Sequence, residues 1–353
     1  MARLLTSFDA VMWCRDIPSM TIESDAPEVE IIVVAGAENL MTLHLAPYNG
    51  RVVLHEVDDA MESMMKFEGK SIEKMTLKFR DAGEDNFQES GVVTVVYAAA
   101  HIQENAVDWL ASHFLTTVDA KWLQKEGGGD LIGFIELEEG KSLSPRYDIA
   151  YRVSGEGNKV QVLNYSSLSP VVSTGGVQML HVTASELAEI VAKQGVDGAE
   201  IIGVTLRVEK RIMTWYCHEL TSPDVWRFKN AFNVEEQCCL EGVTTQKTSD
   251  NRKIAMVGRK AVAYGENELT EWTLESAPVS LELARWLAEL AISHEVTKNG
   301  EVVVVTDCTA EVSDEMGKMN VVKITYRRPD GGRMLAQEGK NKVFTKEFDY
   351  QYT

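Results

Sequence analysis

Residues 177–208 have the sequence VQMLHVTASELAEIVAKQGVDGAEIIGVTLRV, and this stretch decides the expected fold. Its first part, 177–182, is an apolar run typical of a β-strand. Thr183 is followed three residues later by Glu186, a capping-box pattern that predicts a helix beginning at this point. Residues 199–208 are again apolar and predict a second strand. The stretch therefore predicts a strand, a short helix and a strand.

The same plan recurs nearer the N-terminus. Residues 53–61, VLHEVDDAM, resemble 179–187, MLHVTASEL, in the positions of apolar and acidic residues. Residues 57–65 place acidic residues first and apolar residues at helical spacing, which predicts a short helix. The first two thirds of the chain are therefore predicted to be loose repeats of one another.

A hairpin is predicted just before that helix. Residues 41–45 alternate between apolar and polar, the sequence Pro47-Tyr48-Asn49-Gly50 favours a turn, and 51–54 is a second strand. Asn-Gly between two such runs is a strong hairpin signal. In this hairpin His44 and His55 would face each other.

The last third differs in pattern. Residues 243–263 are rich in Thr, Lys and Arg and predict a hairpin with its tip at Ser249-Asp250-Asn251. Residues 281–293 have the clearest helical periodicity in the chain. The aromatic residues of the tail, 329–353, predict a docked last strand.

These patterns predict a mainly β protein with short helices (α+β), built from tandem β-sandwich or barrel-like modules and a C-terminal α+β module. The length suits two or three domains at about 150 residues each. The predicted boundaries are 1–145 for an N-terminal β-rich module, 146–208 for a middle β-rich module that is a loose repeat of the first, and 209–353 for the C-terminal module.

The charge of the chain narrows the classes of partner. With 35 Lys and Arg against 54 Asp and Glu, the formal net charge is −19. Nucleic-acid binding needs basic residues that neutralise phosphates, so no nucleic-acid partner is expected. No run approaches the ~20 apolar residues that span a bilayer, so no membrane insertion is expected. The N-terminus lacks a signal-peptide core, which predicts synthesis in the cytoplasm.

The five cysteines, odd in number and irregular in spacing, fit neither a disulfide framework nor a zinc knuckle. They are expected to be mostly buried, reduced thiols. They are Cys14, Cys217, Cys238, Cys239 and Cys308.

Several short patterns resemble catalytic motifs, but none is complete. Gly69-Lys70-Ser71 and Gly140-Lys141-Ser142 end like a phosphate loop, yet the glycine that must precede each by five residues is Met64 or Ile135. The seven histidines form no metal-binding spacing.

Three further kinds of candidate remain: an adjacent Cys-His pair, two carboxylate pairs and the tryptophans. Cys217 and His218 are adjacent on a strand and so point to opposite faces. The carboxylate pairs Asp58-Asp59 and Glu138-Glu139 suit helix starts or turns. Trp109 and Trp286 are expected in the core, whereas the other tryptophans are open candidates for a glycan groove: Trp13, Trp122, Trp215, Trp226 and Trp272. No catalytic, cofactor or metal residue is therefore predicted.

The last third also resembles a known family. The segments that carry the resemblance are 226–233, 239–248, 269–274, 284–290, 293–296, 304–307, 311–314 and 322–327, with 47–52 and 114–117 in the first third. Together they resemble tail proteins encoded in phages and prophages of Bacteroides-group bacteria. The resemblance implies a role similar to that of distal tail or baseplate-adaptor proteins, which form symmetric rings of β-domains.

The expected function is therefore a structural component of a phage tail, not an enzyme, with copies of itself and other tail proteins (tail tube, hub or receptor-binding protein) as partners. The virion tail is its expected location. Two alternatives stay open: a carbohydrate- or receptor-binding tail-tip protein, and a hydrolase that uses paired carboxylates.

Overall fold

The structure, a computed structural model, describes residues 2–125, 129–153, 159–167, 169–196, 198–221, 223–257, 260–311 and 320–329. At 249–257, 261–269 and 311 only the backbone is described. The described chain is mainly β, with short α-helices and several sheets, which confirms the predicted fold class.

The elements follow one another along the chain. The strands are β1 (Arg3–Leu4), β2 (Val11–Trp13), β3 (Met20–Glu23), β4 (Val29–Ala35), β5 (Glu38–Leu45), β6 (Arg51–Leu54), β7 (Ile72–Asp81), β8 (Gln88–Val96), β9 (Ala120–Gln124), β10 (Gly129–Ile135), β11 (Ser142–Leu143), β12 (Arg146–Val153), β13 (Val160–Ser166), β14 (Val171–Val172), β15 (Val177–Thr183), β16 (Ala199–Val208), β17 (Arg211–His218), β18 (Asp224–Lys229), β19 (Glu235–Leu240), β20 (Gly242–Val257), β21 (Lys260–Ser276), β22 (Val296–Lys298), β23 (Glu301–Glu311) and β24 (Val321–Arg327). The helices are α1 (Val57–Glu68), α2 (Ala106–Ser112), α3 (Ala184–Lys193) and α4 (Leu281–Leu287).

The first large sheet has the order β2-β8-β7-β4-β5, with β2 parallel to β8 and all other pairs antiparallel. Strands β1, β3 and β6 form a separate small sheet. Alternate residues of β4 and β7 are buried, as the period of two in a strand requires. Met61 and Met65 of α1 are fully buried in the same core.

The second large sheet repeats this plan. Its order is β9-β17-β16-β12-β13, with β9 parallel to β17, and β10 pairs with β15 in a separate small sheet. In chain order, β2, β3, β4, β5, β6, α1, β7 and β8 correspond to β9, β10, β12, β13, β15, α3, β16 and β17. The two sheets therefore share one connectivity, apart from the additional small pair β11–β14. An origin by duplication stays a prediction.

The two corresponding helices have well-formed ends. The Thr183 hydroxyl accepts a hydrogen bond from the Glu186 amide at 3.1 Å, so Thr183 caps α3 as predicted. Helix α1 ends at Gly69, whose φ of 66° lets its amide reach the Lys66 carbonyl.

The third large sheet has seven strands in the order β19-β18-β22-β23-β24-β21-β20. Helix α4 packs on it through Trp286, which lies beside Phe228 with ring centroids 5.4 Å apart. The helix is shorter than predicted, because a 3₁₀ turn, Ala288–Ala291, replaces its last part.

The predicted hairpin at 41–54 is wrong. The turn forms, with positive φ at Asn49 and Gly50, but β5 pairs with β4 while β6 pairs with β3 in the small sheet. The chain passes from one sheet to the other at this turn, so the two strands cover different faces of the core. His44 and His55 therefore do not face each other.

The predicted tip of the last hairpin is also wrong. Ser249 lies within β20 opposite Leu269, and the register runs on until Val257 pairs with Lys260. A polar Ser-Asp-Asn stretch suits a turn, but it suits equally well a ribbon with solvent on both faces, and here it continues the strand.

Strand pairing does not follow the boundaries 145/146 and 208/209. Strand β10 precedes the first boundary and pairs with β15 of the middle region, and β17 follows the second boundary and pairs with β16. Strand β9, which also precedes the first boundary, pairs with β17. The docked strand predicted in the tail lies outside the described residues, which end at 329.

Candidate functional site: a buried joint and open sheet edges

The turn between β18 and β19 lies where the three large sheets meet. Asn230 donates a hydrogen bond from Nδ2 to the Leu115 carbonyl at 2.6 Å. Its Oδ1 accepts from the amides of Phe232 and Val234, at 2.9 and 3.1 Å. One buried amide side chain thus shapes the turn and attaches it to the segment before β9.

Asn233 attaches the same turn to the first sheet. It has a φ of 57°, and its Nδ2 donates to the carbonyls of Met65 and Lys70 at 2.9 and 3.1 Å. Phe232 stacks on Trp109, with ring centroids 4.9 Å apart. The turn therefore holds the ends of α1 and α2 and the third sheet in one arrangement.

A buried charged network lies close to this turn. Lys121 of β9 donates from Nζ to Glu236 Oε1 at 2.6 Å and lies 3.3 Å from Asp130 Oδ2. The indole N–H of Trp215 donates to Asp130 at 2.7 Å, and that of Trp286 donates to Glu236 at 2.6 Å. All five side chains are buried, and together they connect β9, β10, β17, β19 and α4.

The electrostatics of the network keep the lysine charged. Burial lowers the pKa of Lys121, but the charges of Asp130 and Glu236 outweigh that effect and hold its pKa above the ordinary value. Burial raises the pKa of Asp130, against the charge of Lys121 and the hydrogen bond from Trp215. The buried carboxylates of Asp130 and Glu236 therefore depend on the positive charge of Lys121 to offset their negative charges.

A third carboxylate borders this network. Glu289 accepts a hydrogen bond from the Ala231 amide at 2.8 Å and another from the Thr117 hydroxyl. Burial and the negative charge of Glu236 raise the pKa of Glu289 to about 7. This group therefore titrates near neutral pH. It also connects the turn 230–234, between β18 and β19, to the segment before β9.

The network leaves little room for a ligand. The cavity beside Lys121 and Trp286 has a volume of about 20 Å³, which accommodates about one water molecule. Carboxylates, lysine and indoles satisfy one another there, so the arrangement can stabilise the meeting point of the sheets but cannot admit a substrate.

Two of the sheet edges in the described part of the chain correspond to each other. Among the described strands, β5 pairs with β4 alone and β13 pairs with β12 alone. They occupy corresponding ends of the first and second large sheets. Strand β13 has no charged residue, and Val160 and Val162 on it are 50% and 60% exposed. An uncharged open edge favours pairing with another strand.

The outer face of the middle sheet has an apolar row. Val162, Ala150, Gly203, Tyr216 and Trp122 are consecutive partners across the five strands. Tyr216 is half exposed. Along this row the small residues Ala150 and Gly203 stand between a valine and two aromatic residues.

The corresponding face of the first sheet is charged instead. Glu30 pairs with Arg80 at 2.6 Å, and Lys78 pairs with Glu89 at 2.9 Å. The two sheets thus share their connectivity but present different chemistry to their surroundings.

A ribbon extends from the third sheet. Strand β24 pairs with β21 only over Trp272 to Glu275, and from Thr248 and Thr270 outward β20 and β21 pair with each other alone among the described strands. Successive residues 243–248 are all exposed, so neither face of the ribbon is covered at its base. We call residues 248–270 the arm.

The phosphate-loop candidates have structural roles. Gly69 ends helix α1, whereas a phosphate loop begins a helix. Lys141 forms ion pairs with Glu136 and Glu209, both at 3.0 Å.

The cysteine and histidine candidates lie at separate places in the fold. Cys217 is half buried, and burial raises its pKa to about 11, while exposed His218 lies against Trp122 on the outer face. His44 pairs with Glu28 at 2.9 Å, and His55 bonds Ser19 at 2.9 Å.

Three of the tryptophans held open for a glycan groove are core residues: Trp13, Trp215 and Trp226 are buried. Trp122 and Trp272 are partly exposed, as is Trp109, which was predicted in the core. Asp58 and Asp59 occupy the first turn of α1, as their favourable interaction with the helix dipole suggests.

No sequence motif contains Lys121, Asp130, Glu236 or Glu289. Only the position of Lys121, two residues before the apolar Leu123, could have indicated a buried lysine, and a buried lysine needs a partner of opposite charge. Among the described side chains, no group of three or more His, Cys, Asp or Glu is placed to hold a metal ion.

Comparison with known proteins yields no family. No family model matches the chain, and no curated protein matches it. Two structures of the Plexin A4 extracellular region are among the solved structures found. They have 10% and 11% identity and TM-scores of 0.21 and 0.22. Each match covers 92% of this chain but only 39% or 31% of the plexin chain. Likenesses this weak carry no argument about fold or function.

In the described ranges, no helix is both long enough and apolar enough to cross a bilayer.

Proposed function

We propose that the chain is a structural component of a phage tail, of the distal tail, baseplate or tail-tip adaptor kind. In this role it forms symmetric rings with copies of itself and contacts neighbouring tail proteins in the virion. The observation that carries the assembly role is the pair of open edges, β5 and β13, at corresponding positions of two sheets with one connectivity. The assignment to a tail rests on the sequence resemblance.

Open edges of this kind favour a head-to-tail contact. If β13 of one copy pairs with β5 of the next, every chain uses each edge once. A contact between two different surfaces closes into a ring when its repeated rotation adds up to a full turn, and otherwise builds an open filament. The main-chain groups of each edge that pair with no described strand would then pair with the neighbouring copy.

Blocking the β13 edge tests this proposal. The double variant Val160→Lys with Val162→Lys places two charges on the edge, and because both side chains are exposed the monomer should still fold. We expect at least tenfold weaker self-association, since lysine on an edge strand opposes strand addition. Light scattering over a range of concentrations measures it.

The chain offers a matched control. Val302 and Val304 are 58% and 50% exposed on β23, a strand with partners on both sides. Val302→Lys with Val304→Lys makes the same chemical change away from an open edge and should leave association unchanged. Equal effects of the two double variants would contradict the role of β13.

A second candidate function is favoured by the outer face of the middle sheet. A tail-tip protein that binds carbohydrate or a receptor needs an exposed aromatic side chain in a shallow groove. Tyr216 beside Trp122, with Ala150 and Gly203 as the floor, provides such a groove. Tyrosine and tryptophan have the apolar faces and polar tips that suit recognition surfaces.

A further inference from the structure

We propose that a cleft at one end of the second large sheet binds a phosphate or sulfate group, with Arg146 and Arg207 as its charged ligands. This inference goes beyond the proposed ring assembly and does not depend on it. Both arginines lie in the described part of the chain, on strands β12 and β16.

The two arginines are direct neighbours across the sheet. Arg146 is the register partner of Arg207, and both side chains are exposed on the outer face. Like charges at directly opposite positions of an antiparallel pair are destabilising. At the corresponding end of the first large sheet, Glu30 lies opposite Arg80 and pairs with it at 2.6 Å. The second sheet thus has two cations where the first has an ion pair, and an anion between them would offset their repulsion.

The nearby carboxylates do not supply that anion. Asp148 accepts a hydrogen bond from Nε of Arg207 at 3.1 Å, and Glu209 lies 3.0 Å from Nζ of Lys141. Among the described residues, none forms an ion pair or a hydrogen bond with the guanidinium of Arg146. The positive charge of Arg146 is therefore without a described counter-ion.

A cleft lies at this pair of arginines. It has a volume of about 370 Å³, and residues 142–144 and Glu209 line it together with the two arginines. The additional small pair β11–β14 supplies part of the lining through Ser142 and Leu143. The volume falls within the roughly 300–1,000 Å³ that is typical of small-molecule sites. The element that distinguishes the second sheet from the first therefore borders the cleft.

The donors of the cleft match a tetrahedral oxyanion. Arginine binds phosphate oxygens through two parallel N–H groups, and the hydroxyls of Ser142 and Ser144 are further donors. A phosphate or sulfate group has enough oxygens to accept from both arginines and from a hydroxyl at once, whereas a carboxylate has only two. The rest of the cleft has room for a group that carries the anion, such as a sugar.

Equilibrium dialysis with radiolabelled inorganic phosphate tests the site directly. We expect the wild type to bind one phosphate per chain and Arg146→Gln to bind it at least tenfold more weakly, because a charge-assisted pair of hydrogen bonds is lost. The matched control is Arg51→Gln, since Arg51 is exposed on β6 but lies opposite Glu23. This variant should bind phosphate like the wild type.

A second ligand distinguishes the free anion from its ester. If glucose 6-phosphate competes more strongly than inorganic phosphate, the site takes a phosphate group carried on a sugar. If the two compete equally, it takes the anion alone.

Stability separates binding from a merely structural role of Arg146. Without phosphate, Arg146→Gln should unfold at the same urea concentration as the wild type or a higher one, because one of two facing cations is removed. Phosphate should stabilise the wild type more than the variant, since a ligand stabilises the state that binds it. No phosphate bound by the wild type, or equal affinity of the wild type and Arg146→Gln, would overturn the proposed site.

Discussion

Replacing Lys121 with methionine is expected to destabilise the protein by about 3–5 kcal/mol, the usual cost of leaving buried charges without their partner. Lys121 compensates Asp130 and Glu236, which are almost completely buried. Methionine is unbranched and only one atom shorter than lysine, so the loss measures the charge more than the packing. Urea unfolding followed by circular dichroism gives the free energy of unfolding.

A second lysine near the end of the same strand is a matched control. Lys125 pairs with Glu200 at the surface, where both side chains are partly exposed. Lys125→Met should cost at most about 1 kcal/mol, because exposed ion pairs contribute little. Adding Glu236→Gln to Lys121→Met should recover part of the loss, since the amide still accepts from Trp286. Equal stability of the two lysine variants would mean that the ion pairs of Lys121 with Asp130 and Glu236 do not stabilise the place where the sheets meet.

The second large effect concerns pH. Glu289 has a pKa of about 7 in the folded protein against an ordinary value of 4.5. Folding therefore favours its protonated form, and its favourable contribution is complete below pH 4.5 and is lost as the pH rises through 7. The difference corresponds to about 3 kcal/mol, at 1.36 kcal/mol for each pH unit.

The variant Glu289→Gln should remove this dependence. A neutral amide can accept from the Ala231 N–H and donate to the Thr117 hydroxyl, as the protonated acid does. Relative to wild type, the variant should therefore gain about 2.5 kcal/mol of stability between pH 5 and pH 8, since part of the full difference is already lost at pH 5.

The control for this comparison is Glu282→Gln, at an exposed position in the first turn of α4. Its stability relative to wild type should stay nearly constant between the two pH values. If the stability of Glu289→Gln relative to wild type were also constant between the two pH values, the pKa of Glu289 would not be raised in the folded protein.

Local patterns predicted most of the secondary structure. The pattern at 177–182 identified β15, and Thr183 with Glu186 located the start of α3. These features depend on residues close together in sequence, where side-chain period and capping are decisive. The turn at Asn49-Gly50 was also real, but a turn signal does not state which strand becomes the partner.

The buried charged network where the three large sheets meet could not be predicted from local patterns. Lys121 and Glu236 are separated by 115 residues, and neither belongs to a motif. Their association depends on β9 and β19 coming together, which follows from sheet topology. The correspondence between the first two sheets was visible as a repeated pattern, whereas their open edges became apparent only from the strand order.

The mass of the purified protein in solution tests the central claim most directly. A single chain has a mass of 39.3 kDa. The proposed assembly predicts a discrete multiple of that mass that persists on dilution and appears as a ring in electron micrographs. A strict monomer at every concentration would contradict the ring, and if that monomer bound a glycan on an array, the receptor-binding candidate would take its place.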